Sequence, residues 1–563
     1  MATTPPPLQG PTSKEKKYDR QLRLWGANGQ AALEEAHILL INSGSGVVGI
    51  ETLKNLVLPG AGNFTILDSA IVEEADLGVN FFLASDSLGK SRAEQCCELL
   101  KELNPDVDGH FSSEPIETFI TKPDALDPYT LILATAPISP EILEIIIAHA
   151  TETLTPLFYI HSVGFYSHFS VHLPHAFPVV DTHPDPVTIS DLRLLNPWPA
   201  LTQLVQEKTA HLEAMSDDDH GHVPYVLLLL HFLEKWKSAH DDKAPQNYKE
   251  KSEFREMVRA GTRTSNPEGG EENSEEAVAA VLKNLNPPEL SSNVKEVFNS
   301  AECVGASPDS QNFWIIASAI SSFHKNNKVL PLPGSVPDMK AKSNDYIALQ
   351  NVYKTKARED FAEVLSIVRD IEAALERTNP IDEKEVEAFC KGAAHIKLVR
   401  GKGMHIAKPG ETIEWLDRAK FAFGSLTNPD SLIHIYIAFL AYDSFGAAHP
   451  ADGLNGAALA PGTTDFEADT EKMVGMAQQI IDDIIKEAGK TMEDPEYTEV
   501  KEQSQKVVTE LVRAGGGELH NISAFTGGTV AQEVIKVITK QYVPVDNCCM
   551  WDGVSSTISV LRL

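Results

Sequence analysis

Two stretches near the amino end decide the fold of this chain: residues 18–26 (YDRQLRLWG) and residues 44–49 (GSGVVG). The second stretch follows the apolar run 38–41 and precedes a segment of helical character. A glycine-rich turn between a strand and a helix lets the backbone approach a phosphate, and the first turn of the helix offers free N–H groups. The spacing of Gly44, Gly46 and Gly49 therefore predicts either a nucleotide-type loop or a tight packing turn that binds nothing.

Strand-like and helix-like segments alternate around this loop, from residue 37 to residue 160. This alternation predicts an α/β fold whose parallel sheet is covered on both faces. Helical periods then dominate to about residue 488, and the last seventy or so residues resume the mixed pattern. We therefore expect a flexible tail, a first α/β part, a helical insertion and a return to the sheet, at residues 1–15, 16–180, 181–488 and 489–563.

The composition of the chain excludes several classes of function. The 563 residues carry a formal net charge of -32, which argues against direct binding to nucleic-acid phosphates. Six cysteines in a chain of this length favour a reducing compartment over a disulfide framework. The first residues lack the apolar core of a signal peptide, and the apolar run 226–230 is too short to span a bilayer. We expect the protein in the cytoplasm and the nucleus.

Two further stretches complete a family pattern: residues 54–60 (KNLVLPG) and 524–536 (AFTGGTVAQEVIK). Together with the first two, they resemble the adenylation domains of the enzymes that activate ubiquitin-like modifiers. Within that family, the chain is similar to the non-catalytic, regulatory subunits of neddylation-activating heterodimers. The resemblance implies an α/β, Rossmann-like, ThiF-type adenylation fold with a large all-helical insertion.

The same resemblance implies partners and cofactors. The chain would form an obligate heterodimer with a catalytic subunit that holds ATP, magnesium and the reactive cysteine, and would bind no cofactor itself. The ubiquitin-like modifier would then pass to a conjugating enzyme and on to cullins.

Several catalytic groups of the family are missing from the nucleotide-type loop. Competent members resemble Gly-x-Gly-Gly-x-Gly, whereas Val47 stands at the fourth position here. Val79 lies where their Asn-Arg-Gln triplet has its phosphate-binding Arg, and Ala136 lies where a magnesium-binding Asp follows the fourth strand. We therefore predict a relic loop without cofactor, which retains the following family positions: Gly44, Gly46, Gly49, Asp68 and Lys90.

The thioester chemistry of the family requires a reactive thiolate. The insertion offers Cys303 and Cys390, neither of which has the family's Pro–Cys–Thr surroundings. Nearby carboxylates would raise their pKa, so both are predicted to be small core residues. His220 and His222 lie beside three Asp residues, and we interpret this run as an exposed charged loop rather than a metal site.

Arg20 is the candidate catalytic residue. It belongs to the family's Arg-Gln-Leu element, and in relatives that Arg reaches across the subunit interface to the ATP of the catalytic half. A guanidinium supplied in this way can stabilise phosphate charge. The alternative is that Arg20 forms a local ion pair with Asp19 or caps its own helix. Arg23 is the next candidate cation, but helical spacing turns it to a neighbouring face.

Two segments are candidates for contact with the partner. One is the Pro-rich stretch 332–339 with the helix that follows it, and the other is the small-residue helix near the carboxyl end, for which packing within the domain is the alternative. The candidate contact residues are Pro333, Pro337, Asp338, Met339, Tyr346, Gly527, Gly528 and Gln532.

Three other functions remain compatible with parts of the sequence. A self-sufficient adenylating enzyme would need its missing Arg and Asp from elsewhere in the chain. An NAD-dependent Rossmann oxidoreductase is supported only by the glycine spacing and Asp68, without a catalytic acid–base pair. A pure scaffold would make Arg20 dispensable.

Overall fold

The computed structural model describes residues 10–185, 189–263, 271–287, 289–450 and 458–563. The chain divides into two compact units, Met1–Val179 with Val399–Leu563 as the first and Val180–Leu398 as the second. Among the residues described between 181 and 395 there is no strand, which agrees with a helical insertion. The predicted end of the insertion at residue 488 is wrong, because the first unit resumes at Val399.

The strands build one large sheet and one small one. The strands are β1 (His37–Ile41), β2 (Asn63–Leu67), β3 (Asp108–Ser112), β4 (Leu131–Thr135), β5 (Leu157–Val163), β6 (Tyr166–His172), β7 (Phe177–Val180), β8 (Ile396–Val399), β9 (Cys548–Asp552) and β10 (Thr557–Leu561). The large sheet has the order β10-β9-β6-β5-β4-β1-β2-β3, and β7 pairs with β8. Strands β1 to β5 are parallel, whereas β6, β9 and β10 continue the sheet antiparallel. The predicted α/β class is confirmed.

The helices follow in chain order. The first part contains α1 (Ser13–Lys17), α2 (Asp19–Glu35), α3 (Val47–Val57), α4 (Glu74–Leu77), α5 (Arg92–Leu103), α6 (Ile116–Ile120) and α7 (Pro140–Glu152). The second unit contains α8 (Pro199–Thr209), α9 (Asp217–His220), α10 (Tyr225–Ala239), α11 (Tyr248–Ala260), α12 (Glu272–Asn284), α13 (Ser292–Asn299), α14 (Ala301–Val304), α15 (Asn312–Asn327), α16 (Ser343–Ala374) and α17 (Glu383–Lys391). The return contains α18 (Ala419–Leu426), α19 (Ile433–Ala448), α20 (Phe466–Glu487), α21 (Glu496–Ala514) and α22 (His520–Thr539). Among the described helices, none has the length and apolarity that a membrane crossing requires.

Helix α19 explains the wrong boundary. It is buried almost all round, as expected of a helix enclosed in a core. Its residues share one hydrophobic cluster with Val163, Cys548 and Met550 of the sheet. His161 on β5 also lies 2.8 Å from Asp443 on α19, measured from Nε2 to Oδ1. The spacing of apolar residues identifies a helix but does not show which hydrophobic core the helix joins. The sequence pattern therefore assigned α19 to the insertion.

The signature stretch 18–26 is anchored by its first residue. Tyr18 is buried, and its hydroxyl accepts a hydrogen bond from Asn104 Nδ2 at 3.0 Å. A Cβ atom at Gly60 would lie 2.9 Å from the Tyr18 hydroxyl, so this contact needs glycine. The predicted tail 1–15 is wrong in its last residues, because α1 begins at Ser13 with a Thr12 cap. Residues 1–9 of that tail lie outside the described residues.

Helices α3 and α22 pack closely on one face of the sheet. Gly527 is buried at their contact, and a Cβ atom there would lie 2.8 Å from the backbone nitrogen of Thr52. Gly528 has room by comparison, since the nearest atom to its Cβ position, Nδ2 of Asn55, is 3.9 Å away. Gly527 therefore serves packing within the domain, and its role as a partner contact stays a prediction.

We expect Gly527→Ala to lower the free energy of unfolding by about 1–3 kcal/mol, because α3 and α22 must move apart to admit the methyl group. Gly475→Ala is the matched control within α20, where a Cβ atom meets nothing within 4 Å. That change is expected to raise the free energy of unfolding by about 0.5–1 kcal/mol. Denaturant unfolding of both variants is the measurement, and equal effects would contradict the role given to Gly527.

Candidate functional site

The nucleotide-type loop lies at the carboxyl end of β1. The chain leaves β1 toward β2 on one side, while β4 flanks β1 on the other, so the loop occupies a switch point of the sheet. Gly44 and Gly46 have φ of 61° and 66°, a conformation that favours glycine. A Cβ atom at Gly49 would lie 2.5 Å from Asn42 Oδ1. The three predicted glycines thus build a tight strand-to-helix turn.

A carboxylate from the carboxyl-terminal segment caps the helix that follows this loop. The N–H groups of Val47 and Val48, in the first turn of α3, donate to Oε1 and Oε2 of Glu518 at 3.0 and 2.8 Å. Ser523 Oγ donates to Oε2 of the same carboxylate at 2.6 Å. Glu518 is buried, and burial raises its pKa while these hydrogen bonds act in the opposite direction. An anion at the start of α3 would have to displace Glu518.

The carboxylate of Asp68, at the position where a dinucleotide-binding fold contacts the ribose, also has hydrogen-bond partners within the chain. Asp68 Oδ2 accepts hydrogen bonds from Arg92 Nε at 2.7 Å and from Asn42 Nδ2 at 2.9 Å. Arg92 is buried, and its Nη2 donates to the carbonyl oxygen of Gly44 at 2.9 Å. Sequence reasoning missed both Arg92 and Glu518. Arg92 stands two residues after the recognised Lys90, whereas nothing in the local sequence around Glu518 points to the loop.

Two further positions, Asn80 and Lys90, lie apart from this network. Asn80 is buried, with its Nδ2 3.5 Å from Cys96 Sγ and its Oδ1 accepting from Phe82 N at 2.9 Å. Lys90 is exposed, and its side chain forms no ion pair within the described part of the chain. The structure therefore brings Gly44, Gly46, Gly49 and Asp68 together but not Lys90. In this structure the first amides of α3 and the carboxylate of Asp68 both have hydrogen-bond partners within the chain.

Arg20 lies on the exposed surface of α2. Asp19, its suggested local partner, instead pairs with Arg23, with 3.0 Å between Oδ2 and Nε. Among the residues that the structure describes, Arg20 forms no ion pair. Its guanidinium is thus exposed and not held by a local carboxylate.

Both candidate thiols of the insertion are core residues, as predicted. Burial raises the pKa of Cys303 to about 11 and that of Cys390 to about 12. The neighbouring carboxylates Glu302 and Asp360 act in the same direction but contribute less than burial. A thiol of this kind is a poor nucleophile at neutral pH, because the thiolate is the reactive species.

The His220 segment is not an exposed loop, contrary to the prediction. It forms the short helix α9, capped by Ser216, and His220 is buried against Glu271 with 2.7 Å between Nδ1 and Oε1. His222 Nδ1 lies 2.7 Å from the carbonyl oxygen of Asp218. Within the described residues, no group of three or more metal-ligating side chains comes together.

The predicted partner contacts differ in exposure. Met339 is buried in the core of the second unit, so its prediction as a partner contact is corrected. Asp338 and Gln532 are exposed. The other predicted contacts outside Gly527 are partly buried: Pro333, Pro337, Tyr346 and Gly528.

A model of the ThiF family matches residues 18–562. The chain belongs to the ThiF family. The ThiF-type fold predicted from the signature stretches is thereby confirmed. A crystal structure of Escherichia coli MccB with succinimide is 16% identical over 28% of this chain and 49% of its own, with a TM-score of 0.26, which is too slight a likeness to add to the assignment.

Curated relatives of this ThiF-family chain match it over nearly their whole length. The NEDD8-activating enzyme E1 regulatory subunit of Xenopus laevis is 35% identical over 568 residues, which cover 98% of this chain and 99% of that protein. The subunit of the same name in Drosophila melanogaster is 34% identical over 569 residues and covers 100% of both chains. In Caenorhabditis elegans it is 31% identical over 556 residues, with 96% and 98% covered. The predicted resemblance to regulatory subunits of neddylation is confirmed.

The Glu518 contact generates a prediction for this ThiF-family chain. Glu518→Ala leaves the buried N–H groups of Val47 and Val48 without an acceptor, which should cost about 1–3 kcal/mol of stability. It also vacates an anion position, so pyrophosphate should raise the melting temperature of this variant but not that of the wild type. Glu502→Ala, an exposed carboxylate on α21, is the control and should change neither property. Equal pyrophosphate responses in all three proteins would contradict the carboxylate's role.

Proposed function

We propose that this chain is the regulatory subunit of the heterodimeric enzyme that activates the ubiquitin-like modifier NEDD8. In this proposal a catalytic partner subunit carries out ATP-dependent adenylation and thioester formation. The observation that carries it is the Glu518 carboxylate at the start of α3, in a chain whose full-length relatives are named regulatory subunits. The contacts of Glu518 with the first amides of α3 support a partner subunit as the site of the chemistry.

The closed loop separates this proposal from its rivals. A self-sufficient adenylating enzyme needs free amides for the triphosphate, and the α3 amides of Val47 and Val48 are occupied. An oxidoreductase needs a free ribose carboxylate, and Asp68 is held by Arg92. Neither alternative is favoured by the relatives, which share the regulatory-subunit name.

Several parts of the proposal extend to molecules outside this chain. ATP, magnesium and the reactive cysteine belong to the partner subunit, and the conjugating enzyme meets the complex rather than this chain alone. Cullin neddylation lies downstream. We place the protein in the cytoplasm and nucleus, on the strength of its composition and cysteine content.

Pyrophosphate exchange tests the proposed function directly. The purified chain alone should catalyse no ATP–pyrophosphate exchange with NEDD8 and should form no thioester with it. Adding the catalytic subunit should produce one complex on gel filtration and restore both activities. Exchange by the isolated chain would assign it to the self-sufficient enzymes, and the absence of a complex would remove the regulatory role.

We propose that Arg20 acts in trans on the ATP of the catalytic subunit. Attack on the α-phosphate leaves pyrophosphate with more charge than it carried before, and a preorganised guanidinium lowers the cost of that charge. The support is the exposure of Arg20 and the pairing of Asp19 with Arg23 instead. Because Arg20 forms no ion pair with any described residue, its guanidinium is available to a phosphate on another subunit.

Arg20→Ala should slow pyrophosphate exchange by the heterodimer by about 10²–10³, the usual loss for one such donor. Arg23→Ala is the matched control on the same helix, since it removes an exposed ion pair worth about 1 kcal/mol or less. The control should keep near wild-type exchange. Both rates are measured with the melting temperature on the same heterodimers, and a lowered melting temperature with unchanged exchange would make Arg20 a structural residue only.

A further inference from the structure

The signature stretch 18–26 is held to the domain at its two ends. Tyr18 and Trp25 are its buried residues, whereas the residues between them are exposed or partly buried. They stand seven residues apart, which is two turns of helix, so both lie on one helix face. Arg20 follows Tyr18 by two residues and therefore lies about 200° round the helix from it. The stretch presents Arg20 away from the face that holds it.

The hydroxyl of Tyr18 fixes the amino end of the stretch. It accepts a hydrogen bond from Asn104 Nδ2 at 3.0 Å and donates to Asp106 Oδ2 at 3.3 Å. The same Asn104 nitrogen donates to the carbonyl oxygen of Val57, the last residue of α3, at 2.9 Å. Asn104 is buried. One buried amide thus joins the start of the turn that carries Arg20 to the end of α3.

The side chain of Gln541 fixes the carboxyl end of the stretch. Gly26 has a φ of 65°, which interrupts the helical conformation of α2 directly after Trp25. The carbonyl oxygen of Trp25 accepts a hydrogen bond from Gln541 Nε2 at 2.8 Å. A Cβ atom at Gly29 would lie 3.0 Å from that nitrogen, so the approach of Gln541 to α2 needs glycine. A side chain that follows α22 therefore holds the far end of the turn.

Two fixed ends matter for a residue that acts on another subunit. A guanidinium lowers the cost of developing phosphate charge when it is already in place, and a displacement of about 1 Å can slow a reaction about 10²-fold. Arg20 forms no ion pair with a described residue that would hold its side chain. Its placement therefore depends on the helical turn, and the turn depends on its anchors.

We propose that the Tyr18 hydroxyl and the Gln541 side-chain amide are positioning groups for Arg20; the assignment rests on the proposed function. They hold the turn at a fixed place on the domain, from which the guanidinium reaches the phosphates of ATP on the catalytic subunit. Loss of either group should act on the reaction through Arg20. Loss of a hydrogen bond that serves stability alone should leave the reaction unchanged.

Tyr18→Phe in the reconstituted heterodimer tests the assignment, because it removes the hydroxyl and keeps the buried ring. Pyrophosphate exchange with ATP and NEDD8 should slow by about five- to tenfold, since the turn loses one anchor and keeps the other. The same change in the Arg20→Ala heterodimer should slow exchange no further, because the group to be positioned is gone. Gel filtration of each heterodimer should show normal assembly.

Tyr353→Phe is the matched control. Tyr353 is also buried, and its hydroxyl donates to the carbonyl oxygen of Leu192 at 2.6 Å within the second unit. This variant loses a buried hydroxyl bond as Tyr18→Phe does, so its melting temperature should fall while exchange stays at the wild-type rate. Equal slowing by both variants would make the effect one of stability and overturn the assignment.

The remaining outcomes separate this assignment from the proposed function. Unchanged exchange by Tyr18→Phe, or a slowing that multiplies with that of Arg20→Ala, overturns the positioning role and leaves the regulatory role intact. Unchanged exchange by Arg20→Ala overturns the trans-acting role and this assignment together. No exchange by the wild-type heterodimer overturns the proposed function itself. Should Tyr18→Phe fail to assemble, Gln541→Met, which removes the bond to the Trp25 carbonyl, decides by the same criteria.

Discussion

The amides at the start of α3 need hydrogen-bond acceptors, and in this protein a carboxylate of the same chain supplies them. Glu518 reaches Val47 across a sequence separation of 471 residues. A helix begins with N–H groups that have no partner inside the helix and carry a partial positive charge. The carboxylate that meets them joins the carboxyl-terminal return to the glycine loop. The buried pairing of Ser523 with Glu518 extends this link into α22.

The other charged groups around the loop also pair with groups of the same chain. Asp68 is neutralised by Arg92, whose guanidinium also takes up the carbonyl oxygen of Gly44. Buried charges are tolerated when they are paired and hydrogen-bonded, so this network stabilises a closed loop without a ligand. Arg20 lies outside this network, on the exposed surface of α2.

The proposed role of Arg20 is hard to recognise from its local geometry. An active site gathers perturbed groups in a cleft, whereas a subunit that assists another presents single residues on exposed elements. Arg20 is an ordinary exposed arginine unless a phosphate approaches from another chain.

The sequence by itself determined the α/β class, the glycine turn and the family, because these depend on local spacing and residue type. It also placed Cys303 and Cys390 in the core. Only the tertiary structure decided that α19 joins the sheet, that Gly527 packs on Thr52 and that His220 is buried. It alone brought Glu518 to α3 and Arg92 to Asp68. These contacts join residues far apart in the chain, and no local period or motif records which distant side chain fills a given position.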